Sequence, residues 1–137
     1  MAWSCALAPT AVAGRGVPVR IAEAALSASP AERRPDVLTT LGAALYRAGR
    51  FEEAIRRLEE SVQARGGSAS PQASAFLAMA LHRRGDREAA RRWLEALRAH
   101  NPGSDSRFSW EDVEIGLLRR EAEELVRFRD ADQESLR

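Results

Sequence analysis

Three groups of side chains in this sequence have the chemistry to do work: two histidines, a run of arginines and a knot of carboxylates. Imidazole ligates zinc and exchanges protons near neutral pH, but a metal site needs three or four converging ligands. His82 and His100 are the sole histidines; they fall on different predicted helices, and no nearby Asp or Cys arrangement suggests a metal site. Cys5 is the sole cysteine, which excludes an intrachain disulfide and a thiolate zinc cluster. His82 is expected on an exposed helix face, with groove contact as the alternative. His100 is expected near a helix end, where an imidazolium meets the helix dipole favourably. No metal and no cofactor is expected.

Arg83, Arg84, Arg87, Arg91, Arg92 and Arg98 have the guanidinium chemistry that pairs with phosphates. Glu88 and Glu95 interrupt them, the formal net charge is only +1, and no aromatic platform accompanies them for base stacking. Glu88 to Arg92, Glu52 to Arg56 and Glu53 to Arg57 have instead the Glu-before-Arg spacing of a solvated helix face. No nucleic-acid partner is expected. Glu121, Glu123 and Glu124 form the densest carboxylate cluster, but Arg119, Arg120 and Arg127 share their helix. That composition reads as surface rather than as a paired acid and base, which needs a pocket and shifted pKa values. All 21 basic residues are arginine. A lysine-free chain has no phosphate-loop, kinase or Schiff-base lysine. No glycine-rich nucleotide loop, His-Arg-Asp or Asp-Phe-Gly occurs either, so an enzyme is not expected.

The elements that must position these side chains repeat. Leu41-Gly42, Leu45, Gly49-Arg50-Phe51, Ala54 and Leu58 recur in register as Leu77-Ala78, Leu81, Gly85-Asp86-Arg87, Ala90 and Leu94. A self-match of this kind signals stacked helix hairpins. Leu38, Leu41, Leu45 and Ala48 predict a helix over 35–48 that opens at Pro35-Asp36 and ends at Gly49. Phe51, Ala54, Ile55, Leu58 and Val62 predict its partner, stopped by Gly66-Gly67-Ser68. The second hairpin opens at Ser70-Pro71, carries Leu77, Ala80 and Leu81, and turns at Gly85-Asp86. Its second helix, with Ala89, Ala90, Trp93, Leu94 and Leu97, stops near Asn101-Pro102-Gly103. A polar loop follows to Ser109. Ile21, Ala25 and Ala28 predict an upstream helix ending before Pro30. Met1 to Ala8 is read as a short helical piece with Trp3 and Leu7 on one side. Trp110, Val113, Leu117, Leu118, Ala122, Leu125 and Val126 predict a long final helix. The expectation is therefore all-α, with about seven helices and no strand, and with Trp93 and Trp110 in the core.

At 137 residues the chain suits one compact domain that buries roughly two thirds of its unfolded surface. Hydrophobic and charged contents of 45% and 30% are those of a globular chain, and no run is long and apolar enough to span a bilayer. Ala11-Val12-Ala13 before Gly14 mimics a cleavage site, but no basic residue precedes it and Pro9 interrupts the apolar stretch, so it is a poor secretory signal. A cytoplasmic location and no membrane partner are expected.

The motif Leu38, Leu41-Gly42, Leu45, Gly49, Phe51, Ala54 and Leu58 resembles the tetratricopeptide repeat family. The second copy is looser, with Ala78 for the small contact glycine and Arg87 for the aromatic, while Ala90 and Pro102 fit. Val19 to Pro30 resembles the second half of an earlier repeat. More narrowly, residues 47–55, 76–80 and 118–125 are similar to the repeat tails of large planctomycete-type bacterial proteins that carry a kinase or β-propeller domain. The resemblance implies an α-solenoid, a right-handed stack of antiparallel hairpins with a C-terminal capping helix. It implies one domain over 1–128: a degenerate repeat at 1–30, repeats at 35–68 and 71–102, and a cap at 109–128. A charged tail, 129–137, is expected to fray.

The resemblance also implies a concave groove, lined by the leading helices, that takes a peptide or protein segment. The residues pointing there by analogy are Asp36, Thr39, Thr40, Ala43, Tyr46 and Arg47, then Gln72, Ala75, Met79, His82 and Arg83. Members that clamp chaperone tails use Lys and Asn, where this chain has Thr39 and Ala43, so that ligand is not expected. The implied function is a noncatalytic scaffold or adaptor with a protein or peptide partner. The alternative is the C-terminal regulatory repeat region of a larger bacterial enzyme such as a serine/threonine kinase. Self-association through an exposed apolar face is a further expectation.

Overall fold

The computed structural model describes residues 16–100 and 109–135. Among these, six α-helices and no strand occur: α1 (Gly16–Ala28), α2 (Arg34–Arg47), α3 (Phe51–Ala64), α4 (Pro71–Arg84), α5 (Arg87–Ala99) and α6 (Trp110–Glu134), with a single 3-10 turn at Ala31–Arg33. The helix expected at Met1 to Ala8 and the loop over 102–108 lie outside the described residues. Each remaining helix falls where apolar periodicity and its stop signals put it.

The two hairpin turns are built alike. After α2 the Gly49 amide donates to Tyr46 O and the Arg50 amide to Leu45 O; after α4 the Gly85 amide donates to His82 O and the Asp86 amide to Leu81 O. This closing pattern requires a left-handed residue, which Gly49 (φ 80) and Gly85 (φ 101) supply. Asp86 then starts the next helix, its carboxylate accepting from the Ala89 amide at 3.3 Å. Ser70 caps α4 in the same way, accepting from the Ala73 amide at 3.1 Å ahead of Pro71.

Packing follows the same logic. α2 pairs with α3, α4 with α5, and α4 also packs against α3, α2 and α6, which makes it the centre of the stack. Every residue of α4 from Ala73 to His82 is buried. The partner helices α3 and α5 turn one stripe inward, Ala54, Ile55, Leu58 and Ser61 on one and Ala90, Leu94 and Leu97 on the other. Their outer faces carry charge. At Gly42 an added Cβ would lie 2.5 Å from Leu58 Cγ, so the glycine is what lets α2 and α3 close together. Thr39 and Ser61 seal that contact with a hydroxyl pair at 2.8 Å, and Ser61 also donates to Pro35 O at 2.8 Å.

Two expectations change. Trp110 is 78% exposed rather than in the core, because its position on α6 points away from the stripe Ile115, Leu118, Ala122 and Val126 that is buried. Trp93 is half-buried against the core. His82, expected at the surface, is only 3% exposed, because α4 is packed on more than one side. α6 runs as helix to Glu134, with no Gly or Pro to stop it earlier.

Candidate protein-binding face

The leading helices α2 and α4 present the residues that the repeat resemblance assigns to a groove. Much of that face is already filled. Thr39, Ala43, Tyr46, Ala75, Met79 and His82 are all buried. Thr39 turns toward α3, where it meets Ser61. Tyr46 sits in an aromatic cluster, with ring centroids 5.6 Å from Phe51 and 5.7 Å from Phe76. Burial holds its phenol above the ordinary value of 10.0, and the neighbouring Arg83 pulls it part of the way back.

Arg47 explains how the face is closed. Its guanidinium lies 5.5 Å from the Tyr46 ring centroid and 5.4 Å from that of Phe76, a cation on aromatic faces. It also makes a two-pronged pair with Glu121 of α6, Nη1 to Oε1 and Nη2 to Oε2, the latter at 2.7 Å. The Arg47 side chain is 13% exposed, which corrects the expectation that it stands free in a groove. Three further ties hold α6 down. Arg98 donates to Glu123 at 2.9 Å, Arg119 donates to the terminal α5 carbonyls of Leu97 and His100, and Gln72 reaches Glu111 at 3.4 Å. The cap thus uses two of the three carboxylates in the Glu121, Glu123, Glu124 cluster to reach across the fold. The sequence shows the carboxylates but not their partners, because Arg47 and Glu121 are far apart in the chain.

What remains open lies at the starts of the leading helices. A cleft of about 550 Å³ is lined there by Asp36, Thr40, Arg65, Gln72, Glu111 and His100, among others. Asp36, Gln72 and Glu111 each belong to the first turn of α2, α4 and α6. Three helix N-termini therefore converge on one cleft, and the acidic side chains of Asp36 and Glu111 offset their positive ends. Asp36 pairs with Arg65 from the end of α3, and its side chain is 71% exposed. The expected groove residues thus divide. Asp36, Thr40 and Gln72 come together in the cleft; Arg83 is exposed at the opposite end of α4; the others are packed.

The arginines on the outer side are held by carboxylates. Arg84 approaches Glu52 at 3.4 Å and Asp86 at 3.5 Å, and Arg92 approaches Glu88 at 3.8 Å. On α3 the pairs observed are Arg50 with Glu53 at 2.6 Å and Arg57 with Glu60 at 3.1 Å, spaced by three rather than the four expected for Glu53 and Arg57. Glu52 turns to Arg84 of the next hairpin instead.

Residues 24–135 match the family model described as "T7SS, ESX-1 secretion system protein EccA1, N-terminal domain". Neither the curated proteins nor the solved structures hold a significant match to the chain.

Proposed function

Because the chain belongs to the family of the EccA1 N-terminal domain of the ESX-1 secretion system, we propose that it is a noncatalytic protein-binding module, a scaffold or adaptor that takes a segment of a partner protein. The convergence of Asp36, Thr40, Gln72 and Glu111 on one open cleft carries the reading. Asp36 and Glu111 are met there by Arg65 and Gln72, so a partner's basic side chain and peptide backbone would bind by exchanging with these solvent-exposed contacts, on groups mounted on rigid helices. The buried part of the leading-helix face supports this cleft rather than contacting the partner. The partner is a protein or peptide rather than nucleic acid, and the setting is cytoplasmic.

The test is capture from a lysate of the native cell, followed by direct titration of each purified partner. Asp36→Arg and Gln72→Arg should abolish the interaction while the helical circular dichroism signal stays unchanged. A partner bound equally by both variants would place its site elsewhere.

The description of the matched family as an N-terminal domain favours a second reading, in which the module is the interaction region of a larger protein. The likeness to planctomycete kinase and propeller tails is one version of that reading and rests on sequence resemblance. Immunoblotting the native cell decides it: a band well above 15.1 kDa supports the larger protein, and a band at that mass rejects it.

A further inference from the structure

Apolar surface escapes burial at the two ends of the stack. Among the described residues the exposed large hydrophobic side chains are Val17 (43%) and Ile21 (46%) on α1, and Trp110 (78%) and Leu117 (55%) on α6. On α1, Val19, Ala22 and Leu26 face the core. Half a turn away lie Val17, Ile21, Ala24 and Ala28, all exposed and none charged. The other outer helices do the opposite: α3 exposes Glu52, Arg56, Glu59 and Gln63, and α5 exposes Glu88, Arg91, Arg92 and Glu95. α1 exposes Arg20 and Glu23 as well, on the flank of the helix, but the strip of Val17, Ile21, Ala24 and Ala28 carries no charge.

α6 has a matching feature. Opposite its buried stripe, the first two turns carry Val113, Gly116 and Leu117, and charge returns only at Arg120, Glu124 and Arg127. Ile115-Gly116 repeats Leu41-Gly42 and Leu77-Ala78, the position at which a leading helix receives its trailing partner. At Gly42 the place is taken by Leu58; around Gly116 nothing beyond the backbone of its own helix and its chain neighbours lies within 4 Å of an added Cβ. α6 is therefore a leading helix with its contact notch open. α1 has the character of a trailing helix: it packs on α2, and the Ala13-Gly14-Arg15 ahead of it repeats the Ala48-Gly49-Arg50 ahead of α3.

We infer that two copies of this chain associate head to tail, with the Val17, Ile21 and Ala24 face of α1 in one copy seated on the Val113, Gly116 and Leu117 face of α6 in the next. The pairing completes a further hairpin in trans. An antiparallel arrangement like that of α2 and α3 also sets the exposed Arg33 and Arg34, just beyond α1, beside Glu111 and Asp112 at the start of α6, so the charges are complementary. Because the two faces differ, the contact is heterologous. It leaves one free face at each end and adds copies as concentration rises.

Sedimentation velocity on the full chain, up to about 0.5 mM, should show mass increasing with concentration. Ile21→Glu and Leu117→Glu should each yield monomers with unchanged helical signal, and Ala24→Arg should reproduce the first. An equimolar mixture of Ile21→Glu and Leu117→Glu retains one intact face of each kind, so it should form a dimer and nothing larger. A wild-type chain that stays monomeric throughout, association that survives either glutamate, or a mixture that stays monomeric would each overturn the inference.

Discussion

Arg47 is the residue at which the groove expectation and the structure part. On the sequence it is a charged helix-end residue suited to contacting a partner; in the fold it stacks on Tyr46 and Phe76 and grips Glu121. Arg47→Glu therefore sets a carboxylate against Glu121 on a mostly buried site. It should cost about 1–3 kcal/mol, seen as a lower urea midpoint, in place of the purely functional effect expected of an exposed groove residue. An unchanged midpoint would show that the clamp contributes nothing. Tyr46, the single tyrosine, gives a second readout. Its phenol is raised above 10.0 chiefly by burial, so the folded chain holds the proton to a higher pH than the unfolded chain does. Folded stability should then decline as pH rises past about 10. Absorbance near 295 nm should place the tyrosinate step above 10 in buffer and near 10 in concentrated urea; coincident steps would mean that the ring is not shielded.

At the scale of the elements, two glycines in equivalent helix positions make opposite predictions. Gly42→Leu drives a side chain into Leu58 and toward the Ala54 carbonyl, 3.3 Å from an added Cβ, and should cost roughly 1–3 kcal/mol through overpacking. Gly116→Ala meets open space and removes a helix-interior glycine, so it should stabilise the chain by about 0.5–1 kcal/mol. Thermal melts of the two variants shifting in the same direction would contradict the difference between a closed and an open contact. The caps make the same point more locally. Ser70 and Asp86 each satisfy an amide three residues on, and both stand in the sequence as ordinary helix starts.

For the whole molecule, the gradient of burial sets the gradient of stability. α4 is buried over most of its length, whereas α1 and α6 each bury one stripe. Hydrogen exchange should therefore be slowest in the amides of Leu77 to Leu81, and fastest among the helices in α1 and in the C-terminal half of α6. Protection of α1 equal to that of α4 in dilute protein would show that something covers its outer face. Across this scale the all-helical hairpin stack was legible from the sequence. Short-range signals such as Leu41-Gly42, Gly49, Ser70-Pro71 and Gly85-Asp86 specify both helix faces and turns without reference to anything distant.

The path of α6 was not legible. Ile115, Leu118, Ala122 and Val126 announce an amphipathic helix, but periodicity says only that a stripe is buried, not which surface buries it. That surface is decided by Arg47 meeting Glu121, Arg98 meeting Glu123 and Arg119 meeting the end of α5. Each contact joins residues far apart in sequence, with no local spacing to betray it. The sequence by itself therefore determined the helices, their turns and their inward faces, because those depend on neighbours within a turn or two. Only the tertiary structure decided which part of the leading-helix face stays open, because that depends on where the last helix comes to rest.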